Sequence, residues 1–303
     1  MFKNISETRK GEIYVLLGDV IEGFLPILTV FTYATLRSFA SLALSTFIAS
    51  LFFGVIVLYR WDWSVLRNHV FWRHVFGLTL FTGVLFWGLY FAGLEYTTPG
   101  NASIIILFQV FASFVFFNLY RQEHISGSHK IGAILMVVGA FIILIRDFSG
   151  LNWGDILILC ASVCAPIGNY FMQEARKIGP SVMILFLRSA ITCLTFFVLT
   201  FIFVMTPTLD QIRVALPFLL ISGFASFGLH KLLWIEAIHR IPVTKAAALL
   251  SVIPFVTLIF SWPLLHQAPN VWQLTSLVPF ILGTLLLTDQ LRKRSLDSAM
   301  FKW

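Results

Sequence analysis

Ten apolar runs of about twenty residues, joined by short connections, leave this chain few ways to fold. They lie near 12–31, 35–58, 74–94, 97–119, 129–146, 153–173, 181–205, 213–238, 243–264 and 271–289. Each is long enough to cross a hydrocarbon core of roughly 30 Å as a helix. A helix satisfies its own backbone in lipid. A β-barrel would show short segments of alternating polarity, and these runs do not alternate. With 58% hydrophobic and 12% charged residues, the chain lacks the polar surface of a soluble domain, where about a quarter of residues are charged. The reading is an all-α polytopic membrane protein of about ten transmembrane helices.

The two halves repeat each other. Gly11-Glu12-Ile13 recurs as Gly154-Asp155-Ile156, and Pro99 before an apolar run recurs as Pro242 before another, both at a spacing of 143 residues (154 − 11 and 242 − 99). Leu36-Arg37-Ser38 recurs as Leu187-Arg188-Ser189 at 151 (187 − 36), which a longer first connection in the second half would explain. Residues 1–147 and 148–303 therefore read as two five-helix repeats. Five spans is an odd number, so the second copy enters the membrane from the opposite side. Such inverted repeats build carriers with a site at the repeat interface. Gly23 and Pro26 should interrupt the first span, and Pro166 and Gly168 the sixth.

Charge fixes an orientation. The net charge is +7, but the basic residues are not spread evenly. With the N-terminus inside, one side holds Arg9, Lys10, Arg67, Arg73, Arg176, Lys177, Arg240, Lys245 and the terminal Arg292-Lys293-Arg294, and the other only Arg37, Arg146 and Arg213. This is the positive-inside bias, and it places both termini in the cytoplasm; the membrane expected is a bacterial inner membrane. The basic tail is an anchor near anionic lipid. No recognition module accompanies it, so nucleic acid is not a partner. Trp61, Trp63 and Trp72 mark an interfacial connection. The first run is long, carries Asp19 and Glu22, and lacks a small-residue cleavage site, so it reads as a retained helix. Cys160, Cys164 and Cys193 fall inside spans as packing residues.

Ionisable groups within spans are costly, about 2.5–3.5 kcal/mol on insertion scales, and so are functional candidates. Glu22 lies eleven residues beyond Gly11 (22 − 11), roughly 16 Å of helix and midway through the core. Asp19 is one turn earlier on the same face. Two carboxylates so placed repel when both are ionised, so one can hold a proton and couple its release to transport; the alternative is that both are hydrogen-bonded glue between helices. Trp87, Tyr90 and Phe91 share a face of the third span, and Trp87 and Phe91 align at the 143 spacing with His230 and Trp234 in the eighth. These rings can wall a cavity for an apolar or aromatic solute, although such a stripe also serves plain packing. Lys231 is near enough to the cytoplasmic end to snorkel; the other reading is a contact with a substrate carboxylate. Asn101, Gln109 and Ser113 recur on one face of the fourth span, and Asn169 lies in the sixth; together they suit a cavity lining or interhelical bonding. Arg37 and Arg188, at the starts of the second and seventh spans, read as interface anchors.

Several segments resemble the EamA-type transporters of the drug/metabolite transporter superfamily. Gly93-Leu94-Glu95-Tyr96-Thr97-Thr98-Pro99-Gly100-Asn101-Ala102-Ser103 is similar to that family's junction between the third and fourth helices. Ala237-Ile238 through Pro242 to Ala246-Ala247-Ala248 is similar to its second copy. Glu123 through Gly132 and Gly139 resembles the link into the fifth helix, and Leu36-Arg37-Ser38-Phe39 the start of the second. The chain departs from the pattern in having Glu22 where a Trp often precedes the glycine, Phe111 where a proline is common, and His266 where the first copy has Glu123. The resemblance implies ten helices in two inverted halves, a cavity faced by the third and eighth helices, and export of small metabolites such as amino acids. A glutamate in the first helix also resembles the coupling acid of small multidrug resistance transporters.

The function expected is therefore a secondary transporter, monomeric or homodimeric, that exports a small organic solute by alternating access, with protons as the coupling ion. No cofactor is expected. The alternatives are a membrane-embedded enzyme and a passive facilitator or channel. The sequence has no HExxH, GxSxG or GxxxxGK, its histidines scatter, and only Glu123, His124 and His129 share a loop. A channel would need a continuous polar lining that no run provides.

Overall fold

The computed structural model describes residues 6–60, 63–121, 127–144 and 152–287. Among these residues nine helices are long and apolar enough to cross a membrane: Glu7–Tyr33, Ser38–Tyr59, His69–Leu94, Pro99–Asn118, Gly127–Leu144, Trp153–Ile178, Ser181–Ile202, Leu209–Arg240 and Val243–Leu265. A shorter apolar helix, Val271–Leu287, follows. They are numbered below as the first to tenth spans.

Side-chain caps set where the spans begin. Asn68 accepts from the amides of Val70 and Phe71, Thr98 from Asn101 behind Pro99, and Asn152 from Gly154. Thr208 and Gln211 bond each other's backbone amides, as do Asn270 and Gln273. Each pair satisfies amides that a helix start leaves without partners. The outward surface is apolar, with Val55, Leu194, Phe201, Val214, Ile259 and Trp262 all exposed, and serine, threonine and charged side chains lie inside. That polarity suits lipid as the solvent.

The repeat shows in how the helices deviate. The third span passes through a π-helix at Thr79–Phe86 and the eighth through one at Ser222–His230, their starts 143 residues apart (222 − 79). The fourth span breaks between Ile105 and Phe108 and the ninth between Leu249 and Val252, 144 apart (249 − 105). The second and seventh spans begin at Ser38 and Ser181, again 143 apart (181 − 38). In both copies a glutamate near the end of a neighbouring span meets that serine: Ser38 N donates to Glu95 at 2.6 Å, and the Ser181 hydroxyl donates to Glu236.

That register corrects one expectation. Leu36-Arg37-Ser38 and Leu187-Arg188-Ser189 are not equivalent, because the second and seventh helices start 143 residues apart and not 151, and the first connection of the second half is shorter, not longer. Gly179-Pro180 ends the sixth helix and starts the seventh at once, so Arg188 lies seven residues inside it. The expected pair of interruptions is also asymmetric. The first span breaks at Phe24, with Pro26 in the first turn of its second segment, whereas the sixth runs unbroken through Pro166. The carbonyl of Gly23, at the break, accepts from Thr257 at 2.8 Å.

The halves interlock. The first span leaves its own repeat to pack on the eighth and ninth, and the sixth packs on the third and fourth. Gly11 lies on Ala237–Ile241 and Gly154 on Gly93–Tyr96, equivalent glycines against equivalent helix ends. The second and seventh spans lie along each other, as do the fifth and tenth. In the latter pair Gly132 and Gly283 face one another: a methyl on either would lie 3.0 or 2.8 Å from the other's carbonyl oxygen. Cross-repeat bonds close both ends. At the N-terminal end Glu7 meets Arg240 at 3.0 Å and Glu12 meets Lys245; at the other, Thr97 meets Asp155 and Asn152 donates to the Tyr96 carbonyl at 2.8 Å. Glu12 and Asp155 are equivalent positions.

Candidate functional site

Between the halves lies a cavity enclosing roughly 680 Å³ of empty space, the open solvent at its mouth included. The first span contributes Glu22 and Leu25, the third Thr82, Phe86, Trp87 and Tyr90, the fourth Ile106 and Gln109, and the sixth Ala165, Asn169 and Met172. Arg188 comes from the seventh, His230, Lys231 and Trp234 from the eighth, and Leu250 and Ile253 from the ninth. Equivalent positions at the 143 spacing line it with different chemistry: Glu22 and Ala165 (165 − 22), and Trp87 and His230 (230 − 87).

Glu22 is the electrostatic centre. Its Oε1 accepts from Lys231 Nζ at 2.9 Å, and its Oε2 lies 2.7 Å from His230 Nδ1. The carboxylate is 12% exposed, the lysine 9% and the histidine 5%, so the charges are held out of water and in contact. Lys231 Nζ is also 4.5 Å from the centre of the Trp87 ring, a cation–π contact that helps hold a desolvated ammonium. The local backbone makes this arrangement possible. His230 ends the π-helix of the eighth span, and π-turns re-aim the side chains that follow them. Gly18, one helical turn before Glu22, leaves room for the imidazole: a methyl there would lie 2.7 Å from His230 Cδ2.

The walls are aromatic. Trp87 packs edge-on against Phe86 and Tyr90, with centroids at 4.8 and 5.5 Å, and against Phe227 at 4.9 Å. Trp234 donates its indole N–H to Asn169 Oδ1 at 3.0 Å, tying the eighth span to the sixth across the cavity. Trp234→Phe keeps an aromatic side chain, though a smaller one, and removes that bond. It is expected to lower stability by about 1–3 kcal/mol, the loss typical of leaving a buried amide oxygen unpaired. A melting curve in detergent indistinguishable from wild type would show that the bond contributes nothing.

Residues 9–145, and again 152–289, match the model of the EamA-like transporter family. The chain belongs to that family. A crystal structure of a protein superposes on this EamA-like chain with a TM-score of 0.68 at 16% identity, covering 94% of this chain and 98% of that one. At that identity the likeness is one of fold. No curated protein matches the chain by sequence.

Of the residues singled out in the EamA-like sequence, Glu22, Trp87, Tyr90, Gln109, Asn169, His230 and Trp234 line this cavity together. Three others do not. Asp19 is fully buried beside it, and neither carboxyl oxygen has a hydrogen-bond partner among the described residues. Phe91 packs behind Trp87 and Phe227. Asn101 accepts from Gln273 Nε2 at 2.8 Å, between the fourth and tenth spans. The helix break at Ile106–Leu107 is the reason: it takes Asn101 and Gln109 off the common face that an unbroken period would give them. Lys231 does not snorkel, since Glu22 holds it inward. Arg188 is not an anchor; it is 4% exposed and lines the cavity. Arg37 does lie at a periphery, exposed, 3.5 Å from Glu95. Among the described residues no group of three or more His, Cys, Asp or Glu side chains could hold a metal ion; Glu123 and His124 lie outside those residues, as do Trp61, Arg146 and the terminal Arg292-Lys293-Arg294.

Proposed function

We propose that the protein is a secondary transporter that exports a small amphipathic organic solute, an amino acid or a compound like it, from the cytoplasm in exchange for protons. The observation that carries this reading is the cavity between interlocked inverted repeats, with a buried glutamate paired to a histidine and a lysine of the other half. The aromatic walls suit an apolar moiety, and Gln109 and Asn169 suit its orientation. Glu22 is the coupling group: protonation neutralises it and frees His230 and Lys231, which changes the field inside the cavity and the attraction between the halves. The bonds closing the two ends are the contacts that alternating access would make and break in turn. The basic residues Arg176, Arg240 and Lys245 gather at the N-terminal end, which supports a cytoplasmic face there in a bacterial inner membrane.

The test uses purified protein in liposomes with an imposed pH gradient. Labelled aromatic and apolar amino acids should be taken up by the wild type in step with the gradient, and Glu22→Gln should abolish that response. Uptake indifferent to both the gradient and the substitution would make the protein a facilitator with a structural Glu22.

A further inference from the structure

We infer that the solute must carry a carboxylate, that Arg188 is the residue that reads it, and that an amino group on the solute is dispensable. The inference rests on the cavity being the transport site and adds the chemical class of what enters it.

Three cationic or potentially cationic side chains line the cavity: His230, Lys231 and Arg188. The first two lie against Glu22, Lys231 donating to Oε1 at 2.9 Å and His230 Nδ1 lying 2.7 Å from Oε2, and they also meet each other at 3.0 Å. Glu22 is the only carboxylate in the lining, and among the described residues it makes no hydrogen bond or ion pair with Arg188. Among the described residues the guanidinium makes no ion pair, and its Nε is buried without a hydrogen-bond partner. Asp19 does not supply the missing anion, because its own oxygens are also without partners. An arginine stays charged in proteins, so a desolvated and unpaired guanidinium is an unfavourable state that an anion would relieve.

The position is particular to the second half. Arg188 lies seven residues beyond Ser181, roughly 10 Å along the seventh helix from its start. Its register equivalent at the 143 spacing is Ser45 (188 − 143), whose hydroxyl lies 3.1 Å from that of Ser222. One half therefore adds a cation where the other has only a small hydrogen-bonding group. The guanidinium is planar and forked, and it matches a carboxylate better than a single ammonium does. Trp87, Tyr90 and Trp234 leave the rest of the cavity suited to an alkyl or aryl body. A second unpaired cation for a polyphosphate is missing from the lining, and so is an unpaired carboxylate for a solute ammonium.

Binding to the full-length protein in detergent, measured calorimetrically, tests this with three probes that differ only at one end: phenylacetate, L-phenylalanine and phenethylamine. Phenylacetate and L-phenylalanine should bind wild type, and phenethylamine should not. Arg188→Gln should weaken phenylacetate by about tenfold or more, the loss of a charged hydrogen bond, and Arg188→Lys by less. The Arg188→Gln protein should melt no lower than wild type, since it loses an unpaired charge; a merely structural arginine would melt lower. Phenethylamine binding as tightly as phenylacetate, or Arg188→Gln binding phenylacetate like wild type, would overturn the inference. The cavity reading would survive that result if Trp87→Leu still weakened whichever probe binds. If wild type binds none of the three, the cavity reading falls and the inference falls with it.

Discussion

Lys231→Met is expected to destabilise the folded protein by about 3–5 kcal/mol, the range for removing one partner of a buried ion pair. The methionine fills a similar volume, so the loss is electrostatic rather than steric. Glu22, 12% exposed, would keep its charge with only His230 beside it. The ammonium that also rests on the Trp87 ring would be gone. The double variant Glu22→Gln/Lys231→Met removes both charges and should recover a large part of the loss, because well-packed neutral groups often replace a buried pair with little penalty. Melting curves of the purified variants in detergent read both effects. A Lys231→Met protein that melts with wild type would mean that the pair does not hold the halves together. Transport should fail in both variants, so stability and activity separate in the double variant.

Gly154→Ala carries the second large effect, about 3 kcal/mol, at the upper end of overpacking losses. An added methyl would lie 2.5 Å from the Gly93 carbonyl oxygen and 2.9 Å from Tyr96 Cβ. The nearest of these is backbone, which cannot rotate aside, so the sixth helix would have to move off the third. Gly11→Ala, at the equivalent place, meets Ile241 Cγ2 at 3.0 Å and Arg240 Cβ at 3.3 Å. Side chains can give way there, and the loss should be smaller. Gly127→Ala meets nothing within 4 Å and serves as the neutral control. Equal melting temperatures for Gly154→Ala and Gly127→Ala would show that the crossing is looser than its distances imply.

What could be read from the sequence follows from what the bilayer demands. Spanning runs are legible because lipid tolerates little else, and the 143 spacing of Gly11 with Gly154 and of Pro99 with Pro242 is the spacing of the folded helices. The Leu-Arg-Ser match misled because three residues in apolar sequence recur easily, while the helix starts themselves, Ser38 and Ser181, keep the 143 spacing. Glu22 was legible as a charge in the wrong solvent. Lys231 and Arg188 were not, since each was judged by its depth below a boundary, while their surroundings come from helices far away in the chain. The π-helices that aim His230 and precede Trp87 have no signal in composition or period. Asn101 was misjudged for the same reason: a break in the fourth helix ended the period on which the reading relied.

The ion pair at the centre of the fold joins residues 209 apart. Chains lengthen at about 5–20 residues per second, so Glu22 leaves the ribosome about 10–40 s before Lys231 exists. For that interval the first helix has no counter-charge, and its acid must enter the bilayer neutral or wait at its edge. Synthesis of the eighth helix then supplies the partner, so the order of translation makes the second half the step that fixes the first helix in place.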